Sequence, residues 1–257
     1  MQIYVINLDY AEERLAAVNK QLSRFGVTYT RIPAVNGRAL SQDEKRNAVN
    51  RFRWWCAVGS PATDGEIGCA LSHASIYRKM IDEEIQLACI LEDDVILDDR
   101  FPQVLLQLEK WHEKRSKHNS VCLLSNHSDS VGQLGNRHSG YQTPVEKNDF
   151  LVKESVGDFC TECYVLTREA ARQLLQVNSP LITPCDWWGR WKRIKVIELY
   201  HVFPTVAMQN KSEYSSGTIP GIISPVNELP WHLFLCHKLK RVIGVAFDRV
   251  LRTMLSR

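Results

Sequence analysis

The sequence predicts an α/β fold in which helices flank a mostly parallel sheet. Residues 2–8 form an apolar segment typical of a buried strand, and residues 29–32 predict a second strand. Between them, residues 11–25 place apolar side chains on a single side of a helix, at Leu15, Val18, Leu22 and Phe25. Such a β-α-β opening favours parallel strands. A third apolar segment, residues 87–95, contains three adjacent acids near its end.

The remaining elements follow from the same patterns. Residues 36–65 are mixed and end in a loop at 59–65 that is rich in Gly, Pro and Ser. Helices are predicted at 66–81, 101–114 and 168–177, the first from the spacing of Ile67, Leu71, Ala74, Tyr77 and Ile81. Strands are predicted at 121–125, 159–166 and 195–200. Residues 126–149 are predicted to form a long polar loop, which is either a binding loop or a disordered segment.

Length and composition indicate a globular protein. The 257 residues suffice for one large core, and a hydrophobic content of 44% with 24% charged residues is ordinary. No run of about 18 uninterrupted apolar residues occurs, so we expect no membrane span. The first residues lack the basic and apolar regions of a signal peptide, so we expect a cytoplasmic protein.

The eight cysteines are scattered, mostly singly, through apolar segments. This distribution favours free, buried thiols in a reducing compartment over a disulfide framework. Cys160 and Cys163 have the spacing of a metal or redox pair, but no second pair completes a zinc site. Because residues three apart on a strand face opposite sides, we interpret these two as structural thiols.

The basic charge of the chain is concentrated at its C-terminus, within a predicted amphipathic helical segment at residues 226–257. From residue 237 onward there are six Lys or Arg, at positions 238, 240, 241, 249, 252 and 257, against the single acid Asp248. Such a helix either contacts an anionic membrane surface or packs on the body of the protein, and the basic excess favours the membrane. No pattern of base-stacking aromatic residues accompanies it, so we expect no nucleic-acid partner.

Glu92, Asp93 and Asp94 form the acidic triplet that follows the third strand. Burying three acids side by side costs several kcal/mol unless a cation or hydrogen bonds offset the repulsion. At the carboxyl edge of an open α/β sheet, such a cluster suggests a divalent metal that holds a phosphate. The alternative is a solvated turn leading into the next helix. The chain has neither the dinucleotide-binding glycine fingerprint nor a P-loop.

Three motifs resemble glycosyltransferase family 25 in their order and spacing. They are Ile3-Tyr-Val-Ile-Asn-Leu-Asp9 with Arg14, Gly65-Glu-Ile-Gly-Cys-Ala-Leu-Ser-His73, and Ile90-Leu-Glu-Asp-Asp-Val95. Weaker agreement continues at Ala34-Val-Asn-Gly37, Tyr164-Val-Leu-Thr-Arg-Glu-Ala170, Pro184-Cys-Asp186 and Pro204-Thr-Val-Ala-Met-Gln209. The resemblance covers about residues 2–215 and is closest to the small bacterial members.

The resemblance implies a GT-A fold, a Rossmann-like sandwich, as the catalytic domain at residues 1–225. It implies an inverting β-galactosyltransferase that moves a hexose from a UDP-sugar to a lipopolysaccharide or lipooligosaccharide acceptor. A bound Mn²⁺ or Mg²⁺ would neutralise the charge that develops on the departing diphosphate.

The resemblance also assigns roles to residues around the donor. Asp94 matches the metal-binding aspartate of the fold, and Glu92 or Asp93 would hold the ribose or a metal-bound water, with Glu92 as the second metal ligand. Asn7 and Leu8, at the end of the first strand, would line the uridine. Arg14 would contact the nucleotide, unless it is an exposed helix arginine.

Asp186 matches a late aspartate of the family and is the candidate base for the acceptor hydroxyl. Trp187 and Trp188 beside it would form a sugar platform, unless they belong to the core and Asp186 caps a helix. The other residues assigned to substrate binding are Glu66, Ser72, His73 and Gln209. A capping role is the alternative for Glu66, and a structural role is the alternative for His73.

Two other functions compete with transfer. A nucleotidyltransferase or UDP-sugar hydrolase would use the same acids on phosphate. A non-catalytic membrane-surface module would use only the basic C-terminal segment.

Overall fold

The computed structural model describes residues 1–114, 119–125, 151–155 and 160–210, with backbone alone for 151–154. Within these ranges no helix is both long and apolar enough to cross a bilayer. The predicted polar loop at 126–149 and the predicted basic segment at 226–257 lie outside the described residues. Membrane contact by that segment therefore stays a prediction.

The described residues form an alternating series of strands and helices. The helices are α1 Glu12–Arg24, α2 Gln42–Ala48, α3 Arg51–Val58, α4 Asp64–Asp82, α5 Phe101–Glu113, α6 Arg168–Val177 and α7 Trp188–Arg193. The strands are β1 Gln2–Asn7, β2 Thr30–Pro33, β3 Leu87–Glu92, β4 Val95–Leu97, β5 Ser120–Leu123, β6 Leu151–Glu154, β7 Cys163–Thr167, β8 Glu198–Phe203 and β9 Ala207–Gln209.

The central sheet has the strand order β2-β1-β3-β7-β5-β8-β6. Strands β1, β2, β3, β5 and β8 run in one direction, whereas β6 and β7 run in the other. A separate two-stranded sheet pairs β4 with β9. The mostly parallel α/β architecture that the sequence predicts is thus confirmed, and its antiparallel member β7 lies between β3 and β5.

Helices cover both faces of the sheet, which explains why its strands are apolar on both sides. Alternate residues of β1 enter two different core clusters: Tyr4 and Ile6 pack towards α4, α6 and α7, whereas Ile3 and Val5 pack towards α1 and α5. β3 alternates in the same way, with Ile90 on one face and Leu91 on the other. Because the strand faces are covered in this way, polar side chains gather more readily at the strand ends.

Several predicted boundaries shift for local reasons. Residues 36–65 contain α2 and α3, which are too short for helical periodicity to be recognised in the sequence. The strand predicted at 195–200 begins at Glu198, because Lys195 adopts a φ of 64° after α7 and cannot join a strand. The strand predicted at 159–166 begins at Cys163, so Cys160 lies before it. The argument that both cysteines share a strand was therefore wrong, although both are buried free thiols.

The segment before Gly37 crosses α4 at very close range. A Cβ added to Gly68 would lie 2.5 Å from the Val35 carbonyl oxygen and 2.8 Å from the Gly37 nitrogen. Ser72, one turn later, accepts a hydrogen bond of 2.8 Å from the Val35 amide and donates one of 2.7 Å to the Gly68 carbonyl. Gly68 and Ser72 of α4 therefore allow this crossing segment, residues 35–37, to pack directly against the helix.

The two glycines of the α4 motif provide a matched pair of substitutions. Gly68→Ala should lower the free energy of unfolding by about 1–3 kcal/mol, because backbone lies within the radius of the new methyl group. Gly65→Ala meets nothing within 4 Å and should be neutral or stabilise by up to about 1 kcal/mol. Urea unfolding followed by circular dichroism measures both, and equal effects would show that the crossing does not constrain α4.

Candidate functional site

The polar edge of the sheet is assembled by strand pairing. β1 and β3 run in parallel with Ile6 opposite Glu92, so Asn7 and Asp93 follow side by side. β7 runs antiparallel to β3, with Leu91 opposite Cys163. The residue before β7, Glu162, therefore reaches the same edge, where its carbonyl accepts a hydrogen bond of 3.0 Å from the Glu92 amide.

Asp93 is held by two partners. Asn7 donates to its Oδ2 at 2.7 Å, and Arg14 donates to its Oδ1 at 2.9 Å. The Arg14 side chain is only 22% exposed, so the interpretation of Arg14 as a solvated helix arginine is wrong. The solvated-turn interpretation of the triplet is wrong as well, since Asp93 is buried and the triplet leads into β4.

Asn7 uses both ends of its amide within the protein. Besides Asp93, its Nδ2 donates to the Ala11 carbonyl at 2.9 Å, and its Oδ1 accepts from Arg31 Nε at 3.0 Å. Leu8 follows, with its carbonyl accepting from the Ala11 amide at 2.9 Å. Nothing in the sequence selects Arg31, because a single arginine on a short strand has no distinguishing pattern. Arg31 is the second cation at this edge, after Arg14.

Only one of the two carboxylate oxygens of Asp94 has a hydrogen-bond partner among the described residues. Gln209 of β9 donates to its Oδ2 at 3.0 Å. This contact brings Gln209, one of the predicted substrate-binding residues, against the acidic triplet. Asp94 Oδ1 is buried, with no such partner in the described part of the chain. Burial, together with Glu92 and Asp93, raises the pKa of Asp94 to about 6, despite the Gln209 hydrogen bond and the Arg14 charge.

Glu92 differs from Asp94 in having a lowered pKa. Burial opposes its charge, but hydrogen bonds from His73 and Thr161 and the charges of His73 and Arg14 lower its pKa overall. His73 Nε2 lies 3.2 Å from Glu92 Oε1. Burial lowers the pKa of His73, yet hydrogen bonds with Cys69 and Glu92 outweigh it and raise the pKa to about 10. The two residues thus form an ion pair in which His73 is buried and Glu92 is partly exposed.

Two tyrosines support the imidazole of this ion pair. His73 Nδ1 lies 2.8 Å from the Tyr164 hydroxyl, which in turn lies 2.8 Å from the Tyr77 hydroxyl. All three side chains are buried. The chain of hydrogen bonds fixes the ring orientation of His73, which is the structural role considered for it, while its other nitrogen faces the acids.

Glu162 is an acid of the site that the sequence analysis missed. Ser125 donates to its Oε2 at 3.0 Å, and burial with the charges of Glu92 and Asp94 raises its pKa to about 7. The sequence signal for Glu162 is a single acid between two cysteines, just before the apolar residues of β7.

Asp186 joins the cluster from the loop before α7. Burial and the charges of Glu92 and Glu66 raise its pKa to about 6, although its own backbone amide and His73 lower it. The helix-capping alternative is wrong, since the N-cap of α7 is Trp187 and no side chain caps it.

The two adjacent tryptophans differ in exposure. Trp188 is fully buried, and its indole N–H donates to the Cys160 carbonyl at 2.7 Å. The core interpretation therefore applies to Trp188, because a buried ring offers no face to a sugar. Trp187 is half-buried, so the predicted sugar platform rests on Trp187 alone.

Glu66 has a local structural task at the start of α4. With Thr63 it forms a capping box, in which Glu66 Oε2 accepts from the Thr63 amide at 2.8 Å. Capping is thus the interaction seen for Glu66. Substrate binding by Glu66 or Ser72 stays a prediction.

The carboxylates offer the hard oxygen donors that Mn²⁺ and Mg²⁺ prefer. The unpartnered Oδ1 of Asp94 fits such a cation, and Glu92 supplies the nearby negative charge. Burial raises the pKa values of Asp94, Glu162 and Asp186, and the negative charge of Glu92 raises them further, so a dication at this position would be favoured. The residues present therefore fit a divalent cation.

Comparisons with known proteins give a consistent result. Residues 1–188 match the family model described as "Glycosyltransferase family 25 (LPS biosynthesis protein)". A "Glycosyltransferase 25 family member" of Aedes aegypti is 35% identical over 109 residues, which are 41% of this chain and 18% of the relative. "Procollagen galactosyltransferase 2" of Homo sapiens is 31% identical over 110 residues, which are 42% of this chain and 18% of the relative. The matched segment is thus a small part of each relative.

The charge crowding around Asp94 generates a prediction about stability. An acid with a higher pKa in the folded state keeps its proton longer there, so its contribution to stability falls as the pH rises from about 4 to 6. Asp94→Asn removes this penalty and should raise the free energy of unfolding of the metal-free protein at pH 8 by about 1–3 kcal/mol. At pH 4 the variant and the wild type should differ little.

Urea unfolding at pH 4 and pH 8 tests this prediction. Asp43→Asn is the control, since Asp43 is exposed and pairs only with its helix neighbour Arg46. It should change stability by less than about 0.5 kcal/mol at either pH. If Asp94→Asn did not raise the free energy of unfolding at pH 8, the burial of Asp94 beside Glu92 would not destabilise the protein.

Proposed function

This chain belongs to glycosyltransferase family 25, and from that premise we propose that it is a metal-dependent, inverting hexosyltransferase that uses a UDP-sugar donor. The observation that carries the proposal is the set of buried and half-buried carboxylates around Glu92, with an unpartnered oxygen on Asp94. Such a site accommodates a dication and the diphosphate that accompanies it.

The sugar and the acceptor are the finer parts of the proposal. We propose galactose, which is supported by the name of the human relative. We propose a lipopolysaccharide or lipooligosaccharide acceptor, which is supported by the description of the family model. The relatives named above are animal proteins, so a collagen-type acceptor belongs in the same screen.

Asp94 and Glu92 would hold the Mn²⁺ or Mg²⁺. When bound, the cation would neutralise the negative charge that develops on the departing UDP. Asp94 provides Oδ1, because its Oδ2 already accepts from Gln209. Glu92 must share its carboxylate with His73.

The nucleotide would lie along the ends of β1 and β3. Asp93 holds Arg14 and Asn7 in fixed positions there, and Arg31 is anchored on Asn7. We propose that the guanidinium groups of Arg14 and Arg31 attract the anionic donor, while Leu8 borders the uridine. Since these donors are already oriented within the protein, little side-chain entropy is lost on binding.

Asp186 would act as the base. Inversion in a single displacement requires a group that takes the proton of the acceptor hydroxyl on the face opposite UDP. A carboxylate with a pKa of about 6 is ionised at neutral pH and accepts a proton more readily than an exposed aspartate does. Trp187, next to it, would support the acceptor sugar.

The proposal is tested by screening UDP-sugars for Mn²⁺-dependent transfer to truncated lipooligosaccharide and to collagen peptides. UDP-galactose should be the preferred donor, and Asp94→Asn should lower transfer at least about a hundredfold. Asp99→Asn, an exposed aspartate paired with Arg24, should keep full activity. Release of UDP at equal rates with and without acceptor would indicate the competing hydrolase, and absence of UDP-sugar binding would exclude transfer.

The role of Asp186 generates a separate prediction. Asp186→Asn should lower kcat by about 10²–10⁴-fold and leave the Kd for UDP nearly unchanged. At saturating Mn²⁺, wild-type kcat/KM should fall about tenfold per pH unit below pH 6, because Asp186 is then protonated. Stopped assays from pH 5 to 8 measure this limb. If Asp186→Asn kept full activity, the catalytic base would have to be another residue.

A further inference from the structure

We propose that Cys69, His73 and Cys185 form a second metal site, one that binds a thiophilic divalent cation such as Zn²⁺. Their ligand atoms all lie within 4.8 Å of one another. They are the one such group of three or more His, Cys, Asp or Glu ligands found in the part of the chain that the structure describes. This site is distinct in chemistry from the oxygen-lined site at Asp94, and it does not depend on the proposed transferase activity.

The three ligands come from two elements. Cys69 and His73 are four residues apart on α4 and therefore lie on the same face of the helix. Cys185 lies in the segment between α6 and α7, 116 residues from Cys69 in the chain. A bound ion would thus connect α4 to the segment that carries Asp186.

The sulfur spacing suits a metal better than a disulfide. Cys69 Sγ and Cys185 Sγ are 3.4 Å apart. Tetrahedral zinc with Zn–S bonds of about 2.3 Å holds two thiolates about 3.8 Å apart. A disulfide requires about 2.0 Å, so the sulfurs would have to approach by about 1.4 Å to bond, whereas they would have to separate by only about 0.4 Å to share an ion. Both cysteines are partly exposed, which gives an ion access.

His73 completes the set as a nitrogen ligand. It already hydrogen-bonds with Cys69, and its two ring nitrogens face Tyr164 and Glu92. Ligation through one ring nitrogen would displace the proton and the present hydrogen-bond partner of that nitrogen and leave the other nitrogen on its partner, which is how metal-binding imidazoles are usually oriented. Three protein ligands leave a fourth position for water or another group.

The surrounding charge favours a cation. The negative charge of Glu92 acts on both thiols, and Asp186, which follows Cys185 in the chain, adds its charge at Cys185. Such an environment attracts a dication, which would in turn stabilise the thiolates that bind it.

Cobalt substitution tests the site in the reduced, full-length protein. Co²⁺ added to the wild type should produce an intense near-ultraviolet thiolate-to-metal band and tetrahedral visible bands, and Zn²⁺ should displace them at one ion per chain. Cys185→Ser and Cys69→Ser should each weaken the band at least about twofold and reduce Zn²⁺ affinity at least about tenfold. Cys56→Ala is the matched control, since Cys56 is buried on α3 outside the group, and it should keep the full band.

Two further measurements separate this site from the carboxylates and from misfolding. Asp94→Asn should leave the thiolate band unchanged, because Asp94 supplies only oxygen. Zn²⁺ should raise the Tm of the wild type and of Cys56→Ala, but not that of Cys185→Ser. Absence of a thiolate band in the wild type overturns the proposal, as does a Cys69–Cys185 disulfide, seen as a mass loss of two hydrogen atoms, in protein purified without reductant.

Discussion

The ion pair between Glu92 and His73 is the interaction on which the site depends. β3 carries Glu92 to the sheet edge, and α4 brings His73 against it with support from Tyr164. Burial raises the pKa values of Asp94, Glu162 and Asp186, and the charge of Glu92 raises them further. A partly buried charge pair among such acids contributes little to stability, and acids with raised pKa values are typical of functional sites.

Helix α4 links the architecture to the chemistry. Its first turn is closed by Thr63 and Glu66, and its next turn, at Gly68, lets the crossing segment lie against the helix backbone. Ser72 fixes that segment, and His73, the next residue, faces the acids. The compact motif at residues 65–73 is therefore explained largely by packing, with His73 as its link to the acidic cluster.

The sequence was informative where periodicity or a dense motif exists. Strand β1, helix α6 and the triplet of acids could be predicted because alternation, helical spacing and adjacent charges are local properties. Glu162 and Arg31 could not, since each is a single charge whose importance arises only from strand pairing. The ends of β8 and the short helices α2 and α3 depended on turns and caps that outweigh hydrophobic pattern.

The antiparallel strand β7 has a consequence for how the site is encoded. It inserts between β3 and β5 and delivers Glu162 from the second half of the chain to acids of the first half. Asp186 and Gln209 arrive from that half as well. Cleavage between residues 125 and 151 would therefore yield two pieces, neither of which holds all the acids of the site, and activity would require that the pieces reassociate.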